Sequence, residues 1–380
     1  MKLFKPFLLL LTLSMAGCST VAIERGLTDA ELLDGHAAFG ESVLPARTAD
    51  FLALDDDMRD FVARQTRDSK HARVRLDHLL AGMIDEGLLT LDYDEQATHS
   101  ARETFHGRQG NCLSFSTLFV ALAREAGLTA HFQRVDVPPT FTANGETIVV
   151  NNHINILVEE VREGTRYFRN RVVDFNTAEY DGNYKMWPVS DDHALALFHS
   201  NLGVEAMAGS DWRLAFAHFK RAAMIDPSIA DVWVNLGVVY ARLEAPSLAI
   251  ASYHRALAID ERHETALVNL GRIHERLGET DRARHYRERV AYHLKRNPYY
   301  HQALAQNALQ EGDFTLALER IARAIRIKPG EHQFHFTKAL ALYRLGEISA
   351  AELELSKAAE LAAHPWVAER YANKLTALRD

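Results

Sequence analysis

The chain has 380 residues, 47% of them hydrophobic and 25% charged, which is the composition of a folded protein and too long for one ordinary core, so two domains are expected. The formal net charge is -8, and setting aside an N-terminal segment that carries Lys2 and Lys5 but no acid takes the remainder to -10. With no Lys/Arg-rich run anywhere, this balance excludes nucleic acid and anionic lipid surfaces, which need a basic face, and leaves small molecules, peptides and proteins as partners.

The first eighteen residues read as an address rather than as fold. Lys2 and Lys5 form a basic start, Phe7 to Leu13 supply an apolar stretch too short to span a bilayer, and Ala16 and Gly17 lead into Cys18. The tetrapeptide Met15-Ala16-Gly17-Cys18 resembles the bacterial lipobox. That resemblance implies a signal peptide over 1–17, lipidation at Cys18, and stable anchoring by several acyl chains. Thr20, standing where Asp would resemble inner-membrane retention, implies the periplasmic face of the outer membrane. Only Cys18 and Cys112 exist in the chain. With Cys18 lipidated, Cys112 has no intramolecular partner in an oxidising compartment, and a lone thiol there asks for a chemical role.

Residues 18–50 are expected to be the lipidated N-terminus and a tether with an early helix, because their periodicity is weak. Asp55-Asp56-Asp57 puts acids at the start of a helix over Met58 to Gln65, and Ala72 to Ile84 carries Leu76, Leu79, Leu80 and Met83 at helical spacing. Cys112 to Ala126 is a stronger helix, with Leu118, Phe119 and Leu122 on one face and Gly127 as its stop. Ala130 to Val137, Thr147 to Glu159 and Tyr167 to Phe175 then read as strands, broken by Pro138-Pro139, Asn144-Gly145 and Glu163-Gly164. A buried helix followed by an antiparallel sheet predicts an α+β domain over 51–190.

Chemistry converges on that domain. Cys112 opens its predicted helix just after Gly110-Asn111, where unpaired backbone amides and the helix dipole favour a thiolate. His153 lies in the strand Asn151-Asn152-His153-Ile154-Asn155, whose period of two puts Asn151, His153 and Asn155 on one face and Ile154, Ile156 and Val158 on the other. Asp174 ends the next strand after Val172-Val173, placed to orient an imidazole on its neighbour. The Cys112 amide is the expected oxyanion donor, with Gln109 or Asn111 as a second, and Asn155 is a supporting candidate. No metal-ligand spacing and no phosphate-cradling glycine loop appears, so neither metal nor cofactor is expected.

Gly110-Asn111-Cys112-Leu113-Ser114-Phe115-Ser116, continued by Ala121 to Leu128, resembles the nucleophile helix of the transglutaminase-like superfamily, and His153 and Asp174 fall where that superfamily keeps its other two triad members. The resemblance covers roughly 55 to 180. It implies a papain-like α+β fold and Cys112-His153-Asp174 chemistry on amides, either hydrolysis or transfer to an amine. Leu113 stands where tissue transglutaminases have Trp, which argues against protein cross-linking as the default.

Repeats decide the C-terminal half. Asn-Leu-Gly recurs at Asn201, Asn235 and Asn269, a step of 34 residues that is the period of a tetratricopeptide repeat. In that phase Ala215, Ala249 and Ala283 mark the helix crossings, and the third repeat, with Arg287 where an aromatic is usual, is expected to have a longer second helix. About five repeats over 196–365, the last two degenerate, and a capping helix over 366–380 predict an all-α solenoid. Asn201, Asn235 and Asn269 are candidate partner-binding residues along its groove, suited to a protein or an extended peptide. The expected function is a periplasmic thiol enzyme whose repeats recruit a protein or peptide. The alternative is a scaffold lipoprotein in which the triad is residual and only the repeats work.

Overall fold

The computed structural model describes residues 27–47, 50–67, 69, 71–88, 92–94, 96–137, 140–141, 148–149, 152–161, 168–175 and 184–379. Cys18 and its signal sequence, Asn151, and the expected breaks at Pro138-Pro139, Asn144-Gly145 and Glu163-Gly164 lie outside the described residues.

Two short helices come first, α1 (Asp29–Asp34), started by a Thr28–Glu31 capping box, and α2 (His36–Phe39). The early helix is there, but from residue 27 to 47 the stretch expected as a tether lies against the repeats. Leu32 is buried, its carbonyl accepts from the Tyr240 hydroxyl at 2.5 Å, and Asp29 pairs with Arg255 at 2.8 Å. The carbonyls of Val43 and Ala46 accept from Lys220 and Arg221, both at 2.7 Å. Weak periodicity is what such a segment shows, since its partners come from another element and not from its own turns.

The α/β domain follows. Helix α3 (Asp56–Thr66) starts where the Asp55 carboxylate accepts the Met58 N–H at 3.1 Å, and α4 (Ala72–Asp85) buries Leu76, Leu79 and Met83 as their spacing predicts. Next come β1 (Asp92–Tyr93), α5 (Ala101–Gly107) and β2 (Gln109–Gly110), which sequence reasoning missed, although the Ser100–Glu103 capping box that starts α5 is legible in the chain. Helix α6 (Cys112–Glu125) is the centre of the domain, buried without interruption from Leu113 to Ala123. After it come β3 (Thr129–Asp136), β4 (Thr140–Phe141), β5 (Ile148–Val149), β6 (Asn152–Val161), β7 (Phe168–Val173) and β8 (Met186–Pro188). The main sheet is antiparallel in the order β7-β6-β3-β8, while β4 and β5 pair with each other, so the single strand expected over 147–159 is two strands with different partners.

Five helix pairs and a closing helix complete the chain. They are α7 (Asp191–Ala208) with α8 (Trp212–Ile225), α9 (Ala230–Arg242) with α10 (Pro246–Ile259), α11 (Glu264–Arg276) with α12 (Thr280–Leu294), α13 (Pro298–Glu311) with α14 (Phe314–Ile327), α15 (His332–Arg344) with α16 (Ile348–Leu361), and α17 (Pro365–Arg379). Helix α12 has 15 residues where the other second helices have 14, a small version of the expected lengthening. The first repeat begins at Asp191, capped by Ser190, five residues before the expected start.

The repeat glycines separate into two kinds. A Cβ on Gly203 or Gly237 would meet the ring of Phe219 at 2.5 Å or of Tyr253 at 2.4 Å, whereas on Gly271 it would meet nothing closer than 3.7 Å, because Arg287 replaces the aromatic there. Gly237→Ala is therefore expected to destabilise by about 1–3 kcal/mol through overpacking. Gly271→Ala should stabilise by up to about 1 kcal/mol through helix propensity. Urea unfolding of the two variants checks the opposite signs.

The two halves share one core. A single cluster of buried apolar residues runs from Leu32 through α6 and the sheet to Tyr286 in the third repeat. Phe51 stands at the junction, its ring 6.0 Å from Phe132 on β3 and 5.7 Å from Phe198 on α7. The Arg124 guanidinium at the end of α6 forks onto the Asp191 carboxylate at 2.6 and 2.8 Å.

Candidate active site

The nucleophile helix is held at its first turn. Asn111 is the N-cap of α6, its Oδ1 accepting the Ser114 N–H at 3.0 Å, so Cys112 is the first helical residue, as expected. Gly110 is required by close approach, since a Cβ there would meet the Ser114 Cβ at 2.6 Å. The preceding loop is stitched to the same turn, with Asn111 N–H donating to the Ala97 carbonyl at 3.0 Å and His99 N–H to the Ser114 hydroxyl at 2.8 Å. Cys112 itself is half-buried.

Across from it, β6 is buried on both faces. Ile154, Ile156 and Val158 enter the core as their alternation predicts, and on the other face His153 and Asn155 are each 2% exposed. The Ser116 hydroxyl donates to the Ile154 carbonyl at 3.2 Å, tying α6 to β6 one residue from His153. Asp174 follows the last residue of β7, and the next ring, Phe175, packs against Phe115 and Phe119 of α6 at 5.8 and 6.0 Å, which draws the end of β7 toward the helix. His153 Nε2 lies 2.8 Å from Asp174 Oδ2, and Asn155 Nδ2 donates to that same oxygen at 3.1 Å.

Electrostatics follow from this packing. Burial pulls the His153 imidazole toward its neutral form, but the hydrogen bond its Nε2 donates to the Asp174 carboxylate, the neighbouring Cys112, and the charge of both partners outweigh it and raise His153 from 6.5 to about 9. With Nε2 engaged by Asp174, the nitrogen left to face the thiol is Nδ1. The structure thus brings Cys112, His153 and Asp174 together in the order expected, with Asn155 behind the acid.

The other candidates are placed differently. Gln109 donates its amide to Asp94 at 3.2 Å, and Asn111 donates its own to the Thr98 hydroxyl at 2.8 Å. Both amides hold the loop ahead of the helix. The Cys112 N–H, in the unbonded first turn of α6, has no acceptor among the described residues. Asn201, Asn235 and Asn269 are half-buried at equivalent positions, and their side chains make no hydrogen bond among the described residues. None of the three lines the cleft of about 570 Å³ between the sheet and the inner helices α9 and α11, which is walled by Arg134, Asp136, Trp187, Asp231, His263 and Glu264. Sequence reasoning missed Thr98 and Phe175. Phe175 adjoins Asp174 and could have been suspected, whereas nothing local marks Thr98. Asp55, Asp57 and His106 group closely enough to bind a cation, but Asp55 is the cap of α3 and bonds His106 at 2.7 Å.

Residues 59–154 match the family model of the transglutaminase-like superfamily, a span that holds Cys112 and His153 and stops short of Asp174. Residues 201–264, 266–298 and 303–365 match tetratricopeptide-repeat models. The chain carries a transglutaminase-like domain followed by tetratricopeptide repeats. None of the curated proteins compared matches it. Among solved structures, PilF of Pseudomonas aeruginosa is 20% identical over 50% of this chain and 86% of its own, with a TM-score of 0.27. MamA of Desulfovibrio magneticus RS-1 is 16% identical over 45% and 96%, with a TM-score of 0.26. YrrB, a tetratricopeptide-repeat protein with an unusual peptide-binding site, is 20% identical over 47% and 92%, with a TM-score of 0.25.

Proposed function

We propose that the protein is a periplasmic thiol enzyme of transglutaminase-like type, anchored to the outer membrane through Cys18, that cleaves amide bonds or transfers their acyl group, and whose repeats recruit the protein or peptide acted on. The observation that carries this reading is the Cys112–His153–Asp174 arrangement at the start of a buried helix. In the reaction the Cys112 sulfur attacks the amide carbonyl, forming a C–S bond while the carbonyl electrons move to oxygen. The Cys112 N–H stabilises that oxyanion. The His153 imidazolium then passes its proton to the departing amine as the C–N bond breaks, leaving a thioester. Water or a second amine, deprotonated by His153, attacks the thioester and restores the thiol. Asp174 stays ionised throughout and holds the ring in register.

The test is the reactivity of the thiol. Iodoacetamide should label Cys112 faster near neutral pH than it labels a free cysteine, and His153→Ala should slow that labelling at least about tenfold. Equal rates in the two proteins would sink the enzyme reading and leave the scaffold lipoprotein. Mass spectrometry of periplasmic proteins trapped covalently on the thiol would then name the substrate.

A further inference from the structure

Resting on the thiol-enzyme reading, we propose that Glu205, a residue of the first repeat, is a positioning residue of the active site, acting through Thr98 and Asn111 on the helix turn that carries Cys112. Glu205 lies on α7, outside the α/β domain, and its Oε1 accepts the Thr98 N–H at 2.8 Å. On the same residue, the Thr98 hydroxyl accepts from Asn111 Nδ2 at 2.8 Å. That bond fixes which way the Asn111 amide points, because its oxygen must face the Ser114 N–H to cap α6. Thr98 is therefore held at its backbone N–H by the Glu205 carboxylate, a charge-assisted bond, and its side chain in turn holds the Asn111 amide.

Thr98 and Asn111 are each 4% exposed, so neither can exchange its partner for water without opening the fold. Asp94 and His99, on the same loop, are the other charged or titratable groups that act on Glu205. What the relay sets is the position of the Asn111–Cys112 peptide, and with it the direction of the Cys112 N–H and sulfur relative to His153. An error of an ångström there slows the reaction without touching substrate binding. The repeats are on this view part of the reaction centre.

The experiment is the pH profile of Cys112 alkylation by iodoacetamide in the full chain, for wild type, Glu205→Ala, Glu205→Gln, Thr98→Val and His153→Ala, alongside thermal unfolding. Glu205→Ala should slow alkylation by about fivefold, the effect of one lost hydrogen bond passed to the reacting group. Glu205→Gln, which keeps an acceptor for the Thr98 N–H, should recover most of the rate, and combining Glu205→Ala with Thr98→Val should add nothing to either alone. Should Glu205→Ala not fold, Thr98→Val decides: it removes the Thr98–Asn111 bond and leaves that to Glu205, and wild-type alkylation in it would overturn the inference. A Glu205→Ala protein with lowered melting temperature and the wild-type alkylation profile would make Glu205 a domain clamp and overturn the inference. His153→Ala labelling as fast as wild type would overturn the thiol-enzyme reading and this inference together, whereas a slow His153→Ala beside a wild-type Glu205→Ala removes this inference alone.

Discussion

Asp174→Asn is expected to leave the chain folded and its thiol nearly inert at neutral pH. The carboxylate is the principal group holding a proton on a buried ring, and an amide in its place leaves burial to pull His153 back toward the neutral form. Alkylation of Cys112 at pH 7 should fall at least about tenfold, and turnover of an amide substrate by up to about 10⁴-fold, the cost of losing the acid of such a triad. A second signature lies in stability. His153 titrates at about 9 when folded, against 6.5 for an unperturbed histidine, so the folded chain binds its proton more tightly. The stabilisation is therefore complete below about pH 6.5, declines as the pH rises, and is gone above about 9. Across that window the wild type should lose on the order of 3 kcal/mol of unfolding free energy, and Asp174→Asn, left only with the contribution of Cys112, should lose clearly less. Denaturant unfolding at pH 6 and pH 9.5 measures it. Parallel losses in the two proteins would mean that the pair carries no such charge.

Phe51→Ala should be the most damaging single truncation at the domain junction. Its ring is 5% exposed and lies between Phe132 of the sheet and Phe198 of the first repeat, and its carbonyl also accepts the Ala101 N–H at 2.8 Å. Removing the ring opens a cavity that neither half can close without moving against the other, for a cost of about 3–5 kcal/mol. Because the cavity borders both halves, calorimetry should show the α/β domain and the first repeats weakened together. A variant in which only the α/β domain melts earlier would show that the shared core does not couple them.

The regular elements were legible because their signals are local. A tripeptide recurring every 34 residues fixes the solenoid, and Gly110-Asn111-Cys112 with the apolar run behind it fixes the nucleophile helix. His153 and Asp174 could be read from strand alternation and chain order, and Asn155 from sharing a face with His153. What sequence could not reveal are pairings made across long separations. Thr98 meets a carboxylate 107 residues away, and Leu32 meets Tyr240 across 208. Gln109 and Asn111 illustrate the limit: their position beside the thiol was evident, but amides have several possible partners, and Asp94 and Thr98 were invisible until the loop was folded back. Strand β8, three residues long, is too short to carry a period at all.

The docking of residues 27–47 on the first two repeats also determines how the molecule would stand on a surface. For a chain lipidated at Cys18 as proposed, only eight residues separate the acylated residue from Leu27, a leash that cannot exceed about 30 Å even when fully extended. The leash is fastened to the solenoid, through Asp29, Leu32 and Val43, and not to the domain that carries the thiol. The first two repeats would therefore be held close to the bilayer, and the reach of Cys112 into the periplasm would be set by a rigid body of fixed size. Any substrate would have to come within that radius, so a target embedded in or moored to the same membrane is favoured over one diffusing at a distance.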